Sequence, residues 1–311
     1  MKILITGGAG FIGSHVADAY LAAGHELVIV DNLSTGSMSN VPSCAKFYNL
    51  DIVSPELNAV FEAEKPDLVN HHAAQVSVPL SVREPLRDAQ TNVFGLLNLL
   101  ECCVKHSTKK IIYISSGGAI YGEADEYPTT ENYNPQPLSV YAINKMAGES
   151  YLRFYHHQYG IDYVVLRYAN VYGPRQVSHG EAGVVSIFIE QLLSGEIPTI
   201  NAYPDAPEGM IRDYVFVSDA AKANLLALDY PHPDAFNIGT GKETTTTMLY
   251  NEINRQLGIA VEPKRAVPRQ GDLSRSLLDC TKAHNELEWY PDYPLEKGIS
   301  EAIEYFKKVK R

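Results

Sequence analysis

The first half of the chain alternates short apolar runs with stretches in which apolar residues recur at helical spacing. This alternation is typical of βαβ units, whose parallel strands are apolar along their length because helices cover both faces of the sheet. The predicted strands are Lys2–Thr6, Glu26–Val30, Lys46–Asn49, Asp67–Asn70, Lys110–Ser115 and Asp162–Arg167. The predicted helices between them are Ile12–Ala23, Gln90–His106 and Val140–Tyr159. The pattern predicts an α/β protein built on a doubly wound parallel sheet.

Beyond Arg167 the alternation becomes less regular, and a stretch rich in Pro and Gly interrupts it at residues 197–209. The elements predicted there are helices at Val184–Leu193, Ser218–Leu228, Thr247–Leu257 and Leu295–Val309, and strands at Asp213–Val217 and Ala235–Ile238. We therefore expect a larger domain over residues 1–174, completed by segments near 212–240. A smaller α/β C-terminal domain, interleaved with the first, is expected over residues 175–311.

Composition narrows the class of protein without changing this fold. The chain has 311 residues, of which 45% are hydrophobic and 20% are charged, as in an ordinary globular enzyme. Its formal net charge of −11 argues against a general nucleic-acid binder, which needs basic surface. The 4 Cys form no C-x-x-C pair, which favours reduced thiols in a cytoplasmic protein. No apolar run approaches the roughly 18 residues of a membrane span, so no membrane association is predicted.

A glycine-rich turn connects the first predicted strand to the first predicted helix. In the segment Gly7–Gly13, Gly7 permits a tight turn, Gly10 lets the backbone approach a pyrophosphate, and Gly13 allows the helix to pack closely on the strand. The N-terminus of the helix then offers free N–H groups to phosphates. Because strand, turn and helix occur in the required order, the segment predicts a Rossmann-type dinucleotide-binding domain.

An acidic residue at the end of the second strand indicates which dinucleotide binds. Asp31, about 20 residues beyond the glycines, is placed to accept hydrogen bonds from the adenosine ribose diol. Its carboxylate would repel a 2′-phosphate, and no arginine lies beside the turn or beside Asp31. NAD is therefore predicted in preference to NADP. Asp51, after the third strand, is placed where its side chain reaches the adenine amine, although it also suits a turn.

Tyr141 and Lys145 are candidates for the chemistry. They are four residues apart near the start of a predicted helix and so share one face of it. A free phenol has a pKa near 10. A nearby ammonium group and the positive charge of the nicotinamide would favour the phenolate and lower that pKa, making Tyr141 a base. In a chain with 20 Tyr this spacing arises easily by chance, so its weight comes from the dinucleotide site. His71 and His72 lack a third ligand at metal spacing, and no metal is predicted.

Nearly the whole chain resembles the extended short-chain dehydrogenase/reductase family, and within it the UDP-glucose 4-epimerases. The motifs that carry the resemblance are Gly7–Ser14, Asp31-Asn32, His72–Val78, Thr91–Val93, Ser115–Gly122, Tyr141–Lys145, Arg167–Arg175, Arg212–Tyr214 and Arg269–Asp272. The resemblance implies an enzyme that uses NAD to invert C4 of a UDP-hexose through a transient 4-keto sugar. It also implies a homodimer formed by the helices Gln90–His106 and Val140–Tyr159.

The family's functional residues are carried over by position. The implied cofactor-binding residues are Gly7, Gly10, Phe11, Ile12, Gly13, Asp31, Asn32, Ser34, Thr35, Gly36, Asp51, Ile52, Ala73, Ala74, Gln75, Asn92, Ser115, Tyr141, Lys145 and Tyr168. The implied substrate-binding residues are Ser77, Ser116, Gly117, Tyr141, Asn170, Val185, Arg212, Arg269, Asp272 and Ser276. Among these the resemblance assigns the diphosphate to Asn170 and the two arginines, since guanidinium matches phosphate oxygens. It assigns the uridine ribose to Asp272.

The loop at residues 115–122 departs from the family's pattern and helps to choose the reaction. Many relatives carry a third Ser or Thr where this chain has Gly117, so Ser116 is the remaining candidate for a catalytic hydroxyl beside Tyr141 and Lys145. Related dehydratases need an acid pair at the positions of Gly118 and Ala119, and decarboxylases need a glutamate in the same loop. Without a second acid or base, simple 4-epimerisation is predicted.

Two alternatives remain at this stage. A UDP-glucuronate or UDP-pentose 4-epimerase would use the same motifs, and a non-catalytic NAD-sensing protein would use the same fold. The latter would be expected to lose Tyr141 or Lys145, and this chain has both. The substrate range also depends on Ser276, since relatives restricted to glucose resemble one another in having a bulky Tyr there. We hypothesise that the small Ser276 admits a 2-N-acetyl group, unless it merely faces solvent.

Overall fold

A computed structural model of the chain describes residues 1–178, 183–268 and 272–309. Its strands are β1 Lys2–Thr6, β2 Glu26–Asp31, β3 Lys46–Asn49, β4 Leu68–His71, β5 Lys110–Ser116, β6 Asp162–Tyr168, β7 Asn170–Tyr172, β8 Thr199–Asn201, β9 Ile211–Arg212, β10 Tyr214–Phe216, β11 Asp234–Ile238, β12 Thr244–Thr245 and β13 Lys264–Ala266. Its helices are α1 Phe11–Ala22, α2 Leu57–Glu64, α3 Val78–Arg83, α4 Pro85–Ala89, α5 Gly95–His106, α6 Gly117–Ile120, α7 Val140–Tyr159, α8 Val184–Leu193, α9 Val217–Asp229, α10 Thr246–Leu257, α11 Thr281–Glu286 and α12 Leu295–Val309.

Seven strands form one parallel sheet in the order β3-β2-β1-β4-β5-β6-β11. The predicted doubly wound sheet is therefore confirmed. The order of the strands reverses between β1 and β4, and the carboxyl ends of parallel strands at such a switch point form a ligand-binding crevice. Strand β11 belongs to this sheet although it comes late in the chain, so the region after β6 returns to complete it.

The alternation of side chains along the strands divides the core into two layers. On β1, Ile3 and Ile5 face one side, where α1 and α9 pack, while Leu4 faces the side covered by α2, α5 and α7. Both layers are apolar because a strand in a parallel sheet is covered on both faces. A third apolar cluster joins α8, α10 and α12 to the short pair β7-β10.

The long elements follow the hydrophobic pattern closely. Helices α7, α8 and α12 have the predicted bounds, and the predicted strands of the sheet deviate by one residue at most at either end. The predicted helix Gln90–His106 differs in one respect, because its first turn, Gln90–Phe94, is π-helical and turns the amide of Asn92 into the interior. The short elements α2, α3, α4, α6 and α11 were not predicted, since so few residues show too little periodicity.

No helix among the described residues is long and apolar enough to cross a membrane.

Candidate active site

The glycine turn packs too closely for any side chain. Gly7 has a φ of +71°, and a Cβ added to it would lie 2.6 Å from the backbone nitrogen of Ala73. A Cβ on Gly13 would overlap the carbonyl oxygen of Gly7, so the first helix packs directly on the turn. Gly7, Gly10 and Gly13 line a cavity of about 400 Å³, where they present backbone without side chains. The turn thus has the cradle shape that a pyrophosphate requires.

Asp31 lies at the carboxyl end of β2 and faces the same cavity. Its two carboxylate oxygens accept backbone N–H groups from Ala9 at 2.9 Å and Leu33 at 2.8 Å, which hold the side chain in place. Each oxygen retains a lone pair for a ribose hydroxyl. Among the described residues that line the cavity, the only lysine or arginine is Lys145, which lies far along the chain from Asp31. The residues present therefore fit NAD and lack a basic group at Asp31 for a 2′-phosphate.

Tyr141 and Lys145 lie in the first turns of α7 and line the same cavity as Asp31. They are next to β5, which is separated in the sheet from β2, the strand of Asp31, by β1 and β4. Ser139 caps the helix by accepting the N–H of Ala142 at 3.2 Å. The Lys145 ammonium donates to the carbonyl oxygen of Ile114 at 2.9 Å and lies 5.9 Å from the centre of the Tyr141 ring. The two side chains therefore lie close together beside β5.

Burial acts on both groups of this pair. It lowers the pKa of Lys145 to about 8 and raises the pKa of Tyr141 to about 12. A hydrogen bond from the Ser116 side chain opposes the second shift, because it stabilises the phenolate. With a pKa raised to about 12, Tyr141 is a neutral phenol near neutral pH. The hydrogen bond from Ser116 and the positive charge of the nicotinamide would both favour the phenolate.

The structure gives a steric reason for glycine at position 117. A Cβ there would lie 2.6 Å from the Leu278 side chain and 3.0 Å from the carbonyl oxygen of Arg167. A Ser or Thr at this position would require the Leu278 side chain to move. The hydroxyl beside Tyr141 comes from Ser116 instead, which lines the cavity.

A second cavity of about 380 Å³ meets the first around Tyr141. Residues that line both include Ser116, Tyr141 and Asn170. The second cavity alone is lined by Arg212 and Asp272. The Arg212 guanidinium donates to the carbonyl oxygens of Ile211 at 2.9 Å and Leu273 at 2.7 Å, so its direction is set by the backbone. A cationic group in a cavity that also contains Tyr141 suits an anionic ligand.

Most of the predicted site residues are brought together by these two cavities. The first is lined by Gly7, Gly10, Phe11, Ile12, Gly13, Asp31, Asn32, Ser34, Thr35, Asp51, Ile52, Ala73, Ala74, Ser115, Ser116, Tyr141, Lys145, Tyr168, Asn170 and Val185. The second adds Arg212 and Asp272. Asp51 also accepts the amide of Asn32 at 2.8 Å, which ties together the loops after β2 and β3.

Several predicted residues line neither cavity. Gly36 packs against Ala9, where a Cβ would lie within 3.0 Å of the neighbouring backbone. Gln75 and Asn92 face a buried cluster of amides, and Ser77 caps α3 by accepting the N–H of Leu80 at 3.2 Å. Gly117 is buried within the loop at 115–122, and Ser276 is also buried. Arg269 lies outside the described residues.

The structure adds residues that the sequence reasoning missed. His72, Val76, Thr91 and Tyr214 line the first cavity. Burial and the neighbouring Lys145 lower the pKa of His72 to about 3, so it is neutral and leaves the lysine as the cation. All four residues lie within motifs that the chain shares with the family, and membership of these motifs is the signal that could have identified them. Among the described residues, no group of three or more His, Cys, Asp or Glu is arranged to hold a metal ion.

Comparison with known proteins identifies the class. A model of the NAD dependent epimerase/dehydratase family matches residues 3–239. A crystal structure of a UDP-glucose 4-epimerase from Thermotoga maritima, solved with UDP-glucose, is 48% identical and has a TM-score of 0.97, with 100% of each chain covered. A UDP-glucose 4-epimerase from Thermus thermophilus in complex with NAD is 43% identical with a TM-score of 0.93, over 99% of both chains. A UDP-N-acetylglucosamine 4-epimerase from Methanobrevibacter ruminantium, in complex with UDP-N-acetylmuramic acid, is 36% identical with a TM-score of 0.92, over 99% of this chain and 98% of the other.

The chain belongs to the NAD dependent epimerase/dehydratase family. Its cofactor is NAD, and the epimerase class that the sequence predicted is confirmed.

Proposed function

We propose that the chain interconverts UDP-glucose and UDP-galactose by inverting C4 of the sugar, a step of galactose metabolism. The observation that carries this proposal is the meeting of two cavities at Tyr141. One cavity begins at the glycine turn and Asp31, where a dinucleotide fits. The other contains Arg212, where a diphosphate fits. A sugar between them has its reacting carbon beside Tyr141, Ser116 and the nicotinamide end of the cofactor.

Bound NAD would supply hydride chemistry at C4: a proton with two electrons would leave C4 for the nicotinamide and return to the opposite face of the sugar. Tyr141 accepts the proton of the 4-hydroxyl group in the first half of the reaction and gives it back in the second. Ser116 donates a hydrogen bond to the phenolate, and Lys145 supplies a positive charge to it from the same helix. The net reaction consumes no cofactor and transfers no proton to solvent.

Inversion requires the sugar ring to present its other face while the nucleotide stays bound. Arg212 is suited to hold the diphosphate, since backbone carbonyl oxygens on two segments fix its guanidinium. Asn170 and Asp272 are proposed to assist it at the diphosphate and at the uridine ribose. The loop residues Gly118 and Ala119 also line the second cavity and carry no acid or base. The ring can therefore turn there without elimination of water.

The test is to incubate the purified chain separately with UDP-glucose, UDP-galactose, UDP-N-acetylglucosamine, UDP-glucuronate and UDP-xylose and to identify the products. We expect C4 inversion of the two neutral hexoses. Among the described residues that line the two cavities, Arg212 is the single arginine, which favours a neutral sugar over a uronate. Turnover of UDP-glucuronate or UDP-xylose alone would assign a different substrate. NAD binding without any turnover would make the chain a sensor.

We further propose that a 2-N-acetyl group is accepted. Ser276 is buried, and its hydroxyl lies 3.8 Å from a Cβ built on Gly118, which lines the substrate cavity. Ser276 therefore lies next to Gly118, which has no side chain and itself lines the cavity. A larger residue at this position would extend into the space near Gly118.

Ser276→Tyr is expected to reduce kcat/KM for UDP-N-acetylglucosamine by about 10- to 200-fold, the range that loss of pocket space produces. Turnover of UDP-glucose should change only a few-fold, because the smaller sugar does not need that space. The ratio of the two kcat/KM values measures the effect. Ser276→Ala is the matched control and should leave the ratio unchanged. Equal losses for both sugars in the Tyr variant would show that Ser276 does not select the substrate.

We propose a homodimer formed by the two long helices. Phe94, Ile143 and Phe154 are exposed, at 60%, 48% and 52%, although all three are large and apolar. Ile143 and Phe154 are eleven residues apart on α7 and therefore share one of its faces. Phe94 ends the π-helical turn that leads into α5, which packs beside α7. A second copy with the same pair of helices would cover these side chains.

The variant Phe94→Glu/Phe154→Glu is expected to be monomeric at micromolar concentration. In a dimer, the two introduced carboxylates of each subunit would be buried against the apolar surface of the other subunit. Light scattering after size-exclusion chromatography measures the mass. Met248→Glu is the control, since Met248 is 55% exposed on α10, away from this surface. A double variant that keeps the mass of the unmodified chain would refute this interface.

Two further assignments complete the proposal. Residues 1–174, with segments near 212–240, form the NAD-binding domain, and residues 175–311 mainly bind the UDP-sugar. The cytoplasm is the proposed location, supported by four cysteines without disulfides, as is usual in a reducing compartment.

A further inference from the structure

A carboxylate without a cationic partner lies behind the proposed catalytic pair. Asp88 in α4 is fully buried. Its oxygens accept hydrogen bonds from three side-chain amides, those of Gln75 at 2.6 Å, Asn144 at 2.7 Å and Asn92 at 3.1 Å. Within the described part of the chain, the side chains that donate to this carboxylate are all uncharged. The amides satisfy its lone pairs and leave its negative charge unneutralised.

The cluster is connected directly to the first turns of α7. Asn144, which donates to Asp88, stands between Tyr141 and Lys145 in the sequence. One turn of helix earlier, the backbone N–H of Tyr141 donates to the hydroxyl of Ser81 in α3 at 3.1 Å. Side chains on α3 and α4 therefore hold the segment of α7 that carries both proposed catalytic residues. Gln75 and Asn92 act in this cluster, although the family resemblance had assigned them to the cofactor.

The charge of Asp88 acts on both catalytic groups. It raises the pKa of Lys145 against the stronger effect of burial, and it adds to the raised pKa of Tyr141. The other ionisable groups around Lys145 are Glu149, His71, His72, Tyr113 and Tyr141. Glu149 is paired with Arg167, and burial lowers the pKa of each histidine, so both are neutral. Among the described residues, then, Asp88 is an anion near Lys145 that accepts no hydrogen bond from an arginine or lysine side chain, so its charge remains available to act on Lys145.

We propose that Asp88 is a positioning residue for the epimerase reaction: it holds the first turn of α7 through Asn144 and supplies the counter-charge of the Lys145 ammonium. This inference rests on the roles proposed for Tyr141 and Lys145. An ammonium in a buried site needs a nearby negative charge to stay protonated. A carboxylate held by amides serves that purpose without forming a direct ion pair that would draw the lysine away from the cofactor cavity.

The test is the pH profile of kcat/KM for Asp88→Asn, which keeps the shape of the side chain and removes its charge. Loss of the charge lowers the pKa of Lys145, so the limb at high pH, where the ammonium is lost, moves to lower pH. It also lowers the pKa of Tyr141, so the limb at low pH moves the same way. We expect both limbs to shift together by about one pH unit, a typical size for the loss of one nearby buried charge.

Two further variants separate charge from packing. Asp88→Asn/Asn144→Asp reverses the carboxylate–amide pair and should return both limbs towards their original positions. Asp219→Asn removes another buried carboxylate, which accepts the backbone N–H groups of Asp292 and Tyr293 and lines neither cavity. It is expected to lower thermal stability and to leave the pH profile unchanged. If Asp88→Asn does not fold, the double variant Asp88→Asn/Asn144→Asp is the test. A pH profile like that of the unmodified protein, with kcat within about tenfold of it, supports the proposal. A double variant that folds but is inactive overturns it.

An Asp88→Asn profile that superimposes on the original would also overturn it, as would a uniform loss of activity with unshifted limbs. The proposed function fails in a different way. If Tyr141→Phe retains full turnover, the catalytic assignment is wrong whatever Asp88 does, whereas an inactive Tyr141→Phe with an unaffected Asp88→Asn rejects only the role of Asp88.

Discussion

Tyr141→Phe is expected to lower kcat for UDP-galactose about 10²- to 10⁴-fold, the usual contribution of a positioned proton-transfer group. The substitution removes one hydroxyl and keeps the ring, which packs between the two cavities. Without it, nothing at this position accepts the proton of the 4-hydroxyl group. KM should change little, because the residue proposed to bind the diphosphate is Arg212, which this substitution leaves intact.

The measurement is a coupled assay of UDP-glucose formation, with bound NAD determined in parallel. Tyr159→Phe is a matched control on the same helix, since Tyr159 is 48% exposed at its far end and touches neither cavity. It should retain full activity. A Tyr141→Phe protein that keeps its NAD, its thermal stability and near-normal turnover would contradict the assignment of Tyr141 as the base.

The buried environment explains why Tyr141 cannot act alone. Burial raises the pKa of the phenol to about 12 and lowers the pKa of Lys145 to about 8. Both shifts favour the neutral forms, so burial alone opposes the phenolate–ammonium pair that the reaction needs. The Ser116 hydroxyl and the Asp88 carboxylate each favour one of the charged forms, Ser116 the phenolate and Asp88 the ammonium. The positive charge of bound NAD adds to the effect of Ser116, which links ionisation of the base to occupancy of the cofactor cavity.

The sheet could be predicted because its signal is physical and repeated. A strand covered on both faces must be apolar along its length, as in Ile3–Ile5 of β1. The glycine turn was equally readable, because Gly7 and Gly13 lie where a Cβ would overlap the backbone. Short elements escaped prediction since packing against the rest of the fold, and not local periodicity, decides them. The turn α6 is an example, formed where the chain must pass between Leu278 and the end of β6.

The site was less completely predictable than the fold. Residue-by-residue transfer from the family placed Tyr141, Lys145 and Asp31 in the first cavity. It also assigned Gln75 and Asn92 to the cofactor, an assignment that stays a prediction, and it did not foresee that their amides hold the Asp88 carboxylate. Nothing in the sequence reveals this cluster, because its members come from three segments that are separate in the sequence: Gln75, the helical run with Asp88 and Asn92, and Asn144. The steric cause of Gly117 was hidden for the same reason, since Leu278 is far away in sequence.

A second large effect is expected from a buried ion pair that supports the active-site loop. The guanidinium of Arg167 on β6 donates to the Glu149 carboxylate on α7 twice, at 3.1 Å and 2.6 Å. The Ser115 hydroxyl at the end of β5 donates to the same carboxylate at 2.6 Å. The side chains of Glu149 and Arg167 are only 12% and 10% exposed. Three elements that carry Tyr141, Ser116 and Tyr168 therefore meet at one carboxylate.

Glu149→Gln is expected to reduce the free energy of unfolding by about 3–5 kcal/mol, the usual cost of removing one partner of a buried ion pair. The loss arises mainly because the Arg167 charge is left without compensation. Glu149→Gln/Arg167→Met should therefore be more stable than the single variant, since it removes the uncompensated charge as well. Urea denaturation at a constant NAD concentration measures all three proteins.

Glu304→Gln is the matched control, because Glu304 pairs with Lys307 on the surface of α12, where both side chains are exposed. Its free energy of unfolding should change by no more than about 0.5 kcal/mol. A similarly small effect of Glu149→Gln would mean that solvent already screens the buried pair. A double variant less stable than Glu149→Gln would mean that Arg167 stabilises the fold through its other contact, the hydrogen bond to the Tyr121 hydroxyl at 2.8 Å, more than its charge destabilises it.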